Sequence, residues 1–279
     1  MEHFWRIEEV ENPRNYSVEE QECETNYVSG VSRTVEGRYI VRLPRHVDFD
    51  HMLGESKSAA IRRLHCLENR LSREPHLMEE YHSFMSEYLS LGHMRLVSAN
   101  ETEPAQVNYL PHHAVMKEAS TTTKVRVVFD GSAKTSTGYS LNDGLLVGPI
   151  VQDELLTLVL RFRKYPVALV ADIAKMYRQV LLHTDDTPLQ RILWRFRTEE
   201  PIATYELLTV TYGLAPSSFL ATRTLQQLAG DEEDAYPLGG PALKKGFYID
   251  DYIVEPFLWR RQYRHAKNST SCWQREVFS

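Results

Sequence analysis

Apolar residues recur at helical spacing between residues 56 and 92 and predict two packed helices. The first stripe consists of Ala60, Ile61, Leu64, Leu67 and Leu71. Pro75 suits the first turn of a second helix, and Gly92 suits its C-terminal end. The apolar positions of this second helix are Met78, Tyr81, Met85, Tyr88 and Leu89. Residues 56–92 therefore predict a helical hairpin whose stripes belong to a core.

Residues 246–254 consist of two short β-rich runs on either side of two adjacent aspartates. Tyr, Ile and Val favour strands whereas Asp is depleted in them, so Asp250 and Asp251 mark a turn. The pattern predicts a tight β-hairpin with the two carboxylates in its turn. Neighbouring carboxylates repel unless water or a hard cation such as Mg²⁺ neutralises them. The alternative is an exposed turn without a function, since Asp is a common turn residue.

A third carboxylate, Asp172, ends another apolar run, residues 166–171, after which the apolar period changes. The following apolar residues share one face of a helical turn or two: Ile173, Met176, Tyr177 and Val180. A carboxylate at the C-terminal end of a strand lies where α/β sheets commonly bind ligands. Together with Asp250 and Asp251 it would supply a two-metal site, in which the ions lie about 3.5–4 Å apart.

Composition is consistent with one or two compact units but is not specific. The chain has 279 residues, 42% of them hydrophobic, with a net charge of −6 and a pI near 6.0. An acidic balance argues against a free nucleic-acid-binding domain, for which a basic surface is usual. Two local groups of residues could still contact a nucleic-acid backbone and stack on its bases, or they could be ordinary polar faces of helices and strands. They are residues 161–164, and Arg191, Arg195 and Arg197 with Trp194 and Phe196.

Cysteine content and hydropathy predict the cellular setting. The three cysteines, Cys23, Cys66 and Cys272, are too few and too scattered for a disulfide framework or a zinc site. The sequence shows no signal peptide and no apolar run of membrane length. We therefore expect an intracellular protein in a reducing compartment, without a membrane partner.

Five motifs, in this order and spacing, resemble the reverse transcriptase of LTR retrotransposons, most closely the Pao/BEL group, over roughly residues 3–254. They are Phe4-Trp5 with the polar segment that follows, residues 109–117 with 121–130, residues 171–179, residues 209–216, and the Tyr-Ile-Asp-Asp box at 248–251. The resemblance implies an enzyme, an RNA-directed DNA polymerase, that performs two-metal nucleotidyl transfer to a primer 3′-hydroxyl. Its partners would be an RNA or DNA template with primer and deoxynucleoside triphosphates, in the cytoplasm or within retrotransposon particles.

The resemblance also implies roles for individual residues. Asp172 and Asp250 match the catalytic aspartates that hold two Mg²⁺ ions, with Mn²⁺ as a possible substitute, and Asp251 matches the accompanying acid. Tyr177 matches the bulky residue beneath the incoming sugar, and its alternative is a core aromatic. The remaining substrate-binding positions are Lys117 and Arg126, which would face the triphosphate or remain solvated, and Tyr212, Gly213 and Tyr248.

The fold implied by the resemblance is α+β: right-hand polymerase fingers and palm, with an antiparallel palm sheet, packed helices and the thumb missing. We expect residues 1–50 to form a polar linker that follows a protease region. Residues 51–256 would form the fingers and palm, with a helical hairpin at 56–92, a fingers hairpin at 109–130 and the palm at 152–256. Residues 257–279 would be a divergent or disordered tail. The alternative function is a catalytically inactive, truncated remnant, at most a nucleic-acid-binding module.

Overall fold

The computed structural model describes residues 15–98, 100–116, 125–163, 169–237 and 239–254. Its helices are α1 (Val18–Gly30), α2 (Phe49–Met52), α3 (Lys57–Leu71), α4 (Pro75–Ser90), α5 (Leu155–Phe162), α6 (Met176–Gln179), α7 (Ser217–Asp231) and α8 (Gly239–Gly246). Its strands are β1 (Ser32–Arg33), β2 (Tyr39–Val41), β3 (Met94–Leu96), β4 (His112–Met116), β5 (Val125–Phe129), β6 (Leu169–Asp172), β7 (Leu181–Leu182), β8 (Arg191–Trp194), β9 (Ala203–Leu207), β10 (Phe247–Tyr248) and β11 (Asp251–Val254).

The strands form four small sheets rather than one continuous sheet. Their orders are β1-β2-β7, β10-β11-β6, β3-β9-β8 and β4-β5. All pairings between named strands are antiparallel except the parallel pairing of β2 with β7. This mixture of helices and small antiparallel sheets confirms the α+β class. No helix in the described ranges is long and apolar enough to cross a membrane.

Helices α3 and α4 confirm the predicted helical hairpin. Four of the predicted α3 positions are buried, namely Ala60, Leu64, Leu67 and Leu71. The buried side of α4 consists of Leu77, Tyr81, Met85 and Tyr88. Met78 is instead 39% exposed, because the buried stripe begins one residue earlier than predicted. Gly92 follows α4 with a φ of +67°, as expected for a C-terminal glycine.

Residues 15–50 are packed on the rest of the fold, which differs from the linker prediction. Ser17 and Glu20 form a capping box that starts α1, and Cys23 and Tyr27 lie on its buried side. The Tyr27 hydroxyl is 3.0 Å from the Thr224 hydroxyl oxygen of α7. Glu19 and Glu22 are exposed, but Glu24 pairs with Arg223 of α7 at 2.8 Å, so this ion pair and the two buried residues together dock the helix.

Of the two possibilities for Arg191, Arg195 and Trp194, the structure favours positions within the fold over nucleic-acid contacts. Arg191 is only 2% exposed and donates to the Glu206 carboxylate at 2.9 Å. Arg195 donates through two nitrogens to Glu68 of α3, at 2.6 and 2.9 Å, and Trp194 is buried. Strand β8 is buried along its whole length, and its Arg191 pairs with the neighbouring strand β9. Arg195, which follows β8, ties the sheet to α3.

Candidate functional site

The acidic pair lies on a tight β-hairpin, as predicted. Strands β10 and β11 pair antiparallel, with Tyr248 opposite Asp251, so Ile249 and Asp250 form a two-residue turn. The turn therefore begins one residue earlier than predicted, and Asp251 starts the second strand. Ile249 has a φ of +56°, which is unusual for a β-branched residue and suits the first position of a primed hairpin turn. The Gln152 side chain accepts the Ile249 amide hydrogen at 2.8 Å.

Asp172 lies directly beside this hairpin. Strand β6 pairs antiparallel with β11, and the Cα atoms of Asp172 and Asp251 are register partners. The Ile173 amide donates to the carbonyl oxygen of Asp250 at 3.0 Å. The backbone therefore brings three carboxylates from distant parts of the sequence to one end of one antiparallel sheet.

The electrostatics of this acidic end indicate uncompensated negative charge. Burial raises the pKa of Asp172, and the neighbouring charges of Asp250 and Asp251 raise it further, while the Ile173 amide acts in the opposite direction. Asp172 and Asp251 are exposed, and Asp250 is half-buried. Carboxylate oxygens are the ligands that Mg²⁺ prefers, so the donor chemistry fits such an ion. Within the part of the chain that the structure describes, however, no three acidic, His or Cys side chains are arranged to hold a metal.

Tyr177 lies close to the acidic end but is largely enclosed. It is 8% exposed, and its ring centroid lies 4.4 Å from that of Tyr212. Its hydroxyl is 2.9 Å from the Ser218 hydroxyl oxygen at the start of α7. All four apolar residues predicted to share a face here, Ile173, Met176, Tyr177 and Val180, are buried, although α6 is only one turn long. Tyr177 therefore combines a core position with contact to a second predicted site residue.

The turn that carries Tyr212 touches the base of the β4–β5 hairpin. Gly213 has a φ of +96°, and a Cβ atom placed on it would lie 2.0 Å from the Phe129 carbonyl oxygen of β5. The Asn142 side-chain nitrogen donates to the Gly213 carbonyl at 2.9 Å, and the Asn142 side-chain oxygen accepts from the Ala215 amide at 2.9 Å. Sequence reasoning missed Asn142, whose only signal was its place in a polar, turn-like segment.

Arg126 lies on β5, and its positive charge affects the pKa of Tyr212. Burial raises the pKa of Tyr212; Asp250 raises it too, whereas the positive charge of Arg126 lowers it. Strands β4 and β5 confirm the two strands of the predicted hairpin, with Arg126 opposite Val115, whereas Lys117 lies outside the described residues. Tyr248 is half-buried.

Glu87 and Arg178 also lie beside this site, and sequence reasoning missed both. Glu87 belongs to α4 and contacts the loop that follows Asp172, where the Arg178 side chain donates to it at 3.2 Å. Glu87 is one of many acidic residues on predicted helices, so no pattern distinguishes it. Only the packing of α4 against the loop reveals the contact.

No protein-family model matches this chain, and no curated protein matches it. The interpretation of the site therefore depends on its motifs and on their arrangement in space.

Gly213→Ala should destabilise the fold by on the order of 3 kcal/mol. The positive φ alone costs about 1–2 kcal/mol for an L side chain, and the clash with the Phe129 carbonyl adds to it. The matched control is Gly138→Ala, because Gly138 has a φ of +86° and open space around it. Urea unfolding should show a loss of only about 1–2 kcal/mol for this control. Equal losses in the two variants would contradict the close approach.

Asp250→Asn should lower the pKa of Asp172 towards its ordinary value, because one repelling charge is removed. A raised native pKa means that stability falls as the pH rises through it, so this loss should be smaller in the variant. Carbon-detected NMR titration of the Asp172 carboxyl in metal-free buffer measures the change. Asp185→Asn is the control, since Asp185 pairs with Arg42 instead. An unchanged Asp172 pKa would mean that the two carboxylates do not interact.

Proposed function

We propose that this chain is the fingers-and-palm part of an RNA-directed DNA polymerase, similar to the reverse transcriptases of Pao/BEL-type retrotransposons. The observation that supports it most is the pairing of β6 with β11, which brings Asp172 beside Asp250 and Asp251. An exposed turn without a function would require no partner strand that ends in a third carboxylate. The order of the motifs along the chain supports the same proposal.

The proposed reaction is transfer of a deoxynucleotide to the 3′-hydroxyl of a primer paired with an RNA or DNA template. Asp172 and Asp250 would hold two Mg²⁺ or Mn²⁺ ions, with Asp251 as the accompanying acid. Bound ions of this kind stabilise the attacking and leaving oxygens of a phosphoryl displacement. The mutual repulsion that raises the Asp172 pKa is the property that a bound cation would relieve.

The remaining site residues would bind and orient the nucleotide. Arg126 would neutralise the triphosphate from the fingers hairpin, since guanidinium groups bind phosphate through two nitrogens, and Lys117 is proposed for the same task by resemblance. The rings of Tyr177 and Tyr212, which pack against each other at a tilt, would form the surface beneath the sugar. Gly213 allows the turn to approach β5 closely enough to place Tyr212 there.

A second candidate function is a module of the same fold that binds nucleic acid without turnover. One observation favours it: the described acidic side chains are not arranged to hold a metal. The two candidates share a fold and differ in whether the carboxylates assemble around ions when substrate is present. Activity and binding must therefore be measured together.

A primer-extension assay with the purified full chain tests the proposal. The chain should extend a DNA primer on an RNA template in Mg²⁺, and Asp172→Asn or Asp250→Asn should reduce the rate about a hundredfold or more. Loss of the metal ligands removes several kcal/mol of transition-state stabilisation, and each 1.36 kcal/mol changes the rate tenfold. Asp185→Asn should remain active.

The same assay should include the chain joined to the thumb of a Pao/BEL-type reverse transcriptase, which supplies grip on the duplex. If the joined protein extends the primer and the full chain does not, the result would still support the proposed chemistry. Binding of primer–template without extension by either protein would support the second candidate. Equal extension by the parent chain and Asp250→Asn would exclude catalysis at this site.

Millimolar Mg²⁺ or Mn²⁺ should raise the melting temperature of the full chain, because a ligand that binds only the folded state stabilises it. Asp250→Asn should remove most of this gain, whereas Asp185→Asn should keep it. Differential scanning calorimetry with and without the ion measures the shift. An unchanged melting temperature in the parent chain would indicate an exposed acidic turn that binds no metal.

A further inference from the structure

The loop between β6 and β7 has an unusual backbone conformation. Lys175 has a φ of +55° and a ψ of +36°, a left-handed backbone conformation that residues other than glycine rarely adopt. Helix α6 begins immediately afterwards and contains Tyr177. Such a conformation persists only where the surroundings hold it in place.

One carboxylate oxygen holds two cations of this loop. The Lys175 ammonium nitrogen lies 2.6 Å from Oε1 of Glu87, and an Arg178 guanidinium nitrogen lies 3.2 Å from the same oxygen. Hydrogen bonds between ionised groups are shorter and stronger than neutral ones. Burial alone would raise the pKa of Glu87, but Lys175 and Arg178 hold this pKa below its ordinary value, so the carboxylate is charged at neutral pH.

Further contacts fix Arg178 and the end of the loop. The Arg178 guanidinium carbon lies 4.5 Å from the ring centroid of Tyr88 and 5.3 Å from that of Phe84, both on α4. On the other side, Arg38 donates to the carbonyl oxygens of Arg178 and Gln179, at 2.8 and 3.3 Å. The residues on either side of Tyr177 are therefore tied to distant elements.

We propose that Glu87 is a positioning residue for nucleotide selection, which holds the loop through Lys175 and Arg178 and so sets the place of the Tyr177 ring. The inference rests on the proposed function, since it assigns Tyr177 to the sugar of the incoming nucleotide. Glu87 itself lies on the partly exposed side of α4, with a side chain 42% exposed. The buried side of α4 is formed by other residues, so the fold does not depend on the Glu87 charge.

Hydrogen–deuterium exchange of the full chain tests the first half of the proposal without any substrate. Glu87→Gln keeps the size of the side chain and removes its charge. Amides of residues 173–180 should exchange about two- to fivefold faster, the range that corresponds to a partly exposed ion pair. Amides of β8 should not change. Glu80→Gln, on the exposed side of the same helix, is the matched control and should leave the loop as it is.

Nucleotide selection tests the second half, by comparing dCTP with CTP, which differ only in the 2′-hydroxyl, in primer extension by the full chain or the thumb-joined protein. Glu87→Gln should lower the deoxy-to-ribo ratio of kcat/KM about two- to fivefold. Glu87→Asp keeps the charge and should retain more of this ratio than Glu87→Gln. If the Glu87 side chain only filled space, Glu87→Gln should retain more of the ratio than Glu87→Asp, because Gln matches Glu in size.

Three results would count against the proposal. Unchanged exchange of residues 173–180 in Glu87→Gln would overturn it, because the loop would then be held by other contacts. Faster exchange with an unchanged sugar preference would overturn the role in selection and leave a structural ion pair. If neither protein binds or incorporates nucleotides, the proposed function and the role in selection both fail, while the exchange result still decides whether Glu87 holds the loop.

Discussion

The pairing of β11 with β6 is the contact on which the whole site depends. It places three carboxylates at one end of a sheet, where burial and the repulsion between like charges both raise the pKa of Asp172. The backbone hydrogen bonds between the strands, together with the Ile173 amide bonded to the Asp250 carbonyl, hold this arrangement against the repulsion. A protein that keeps such an arrangement gives up some stability for a group that a cation could use.

The surroundings of this sheet end explain how the arrangement is maintained. Gly213 lets the Tyr212 turn approach the Phe129 carbonyl, and Asn142 bonds to both sides of that turn. The Tyr212 ring then packs against the ring of Tyr177, whose loop is tied to Glu87 of α4. Elements from four regions of the chain therefore meet around the acidic hairpin, and each contact restricts the position of the next.

The successes and failures of prediction follow from the range of the interactions involved. Local periodicity was enough for α3 and α4, and turn chemistry was enough for the Asp250 hairpin. The choice between the two alternatives for Arg191 and Arg195 could not be made from the sequence, because their partners Glu206 and Glu68 lie 15 and 127 positions away in the chain. The acidic character of α1 hid two core residues on its other side.

The sequence by itself determined the helical hairpin, the acidic β-hairpin and the apolar face that includes Tyr177. These features depend on steric and apolar patterns within a few residues, which a linear pattern records. Only the tertiary structure decided that Asp172 lies opposite Asp251, that the Tyr177 ring packs against Tyr212, and that Glu87 contacts the loop after β6. Strand pairing and ion pairs between distant elements depend on packing in space, and neither composition nor spacing along the chain specifies which partners meet.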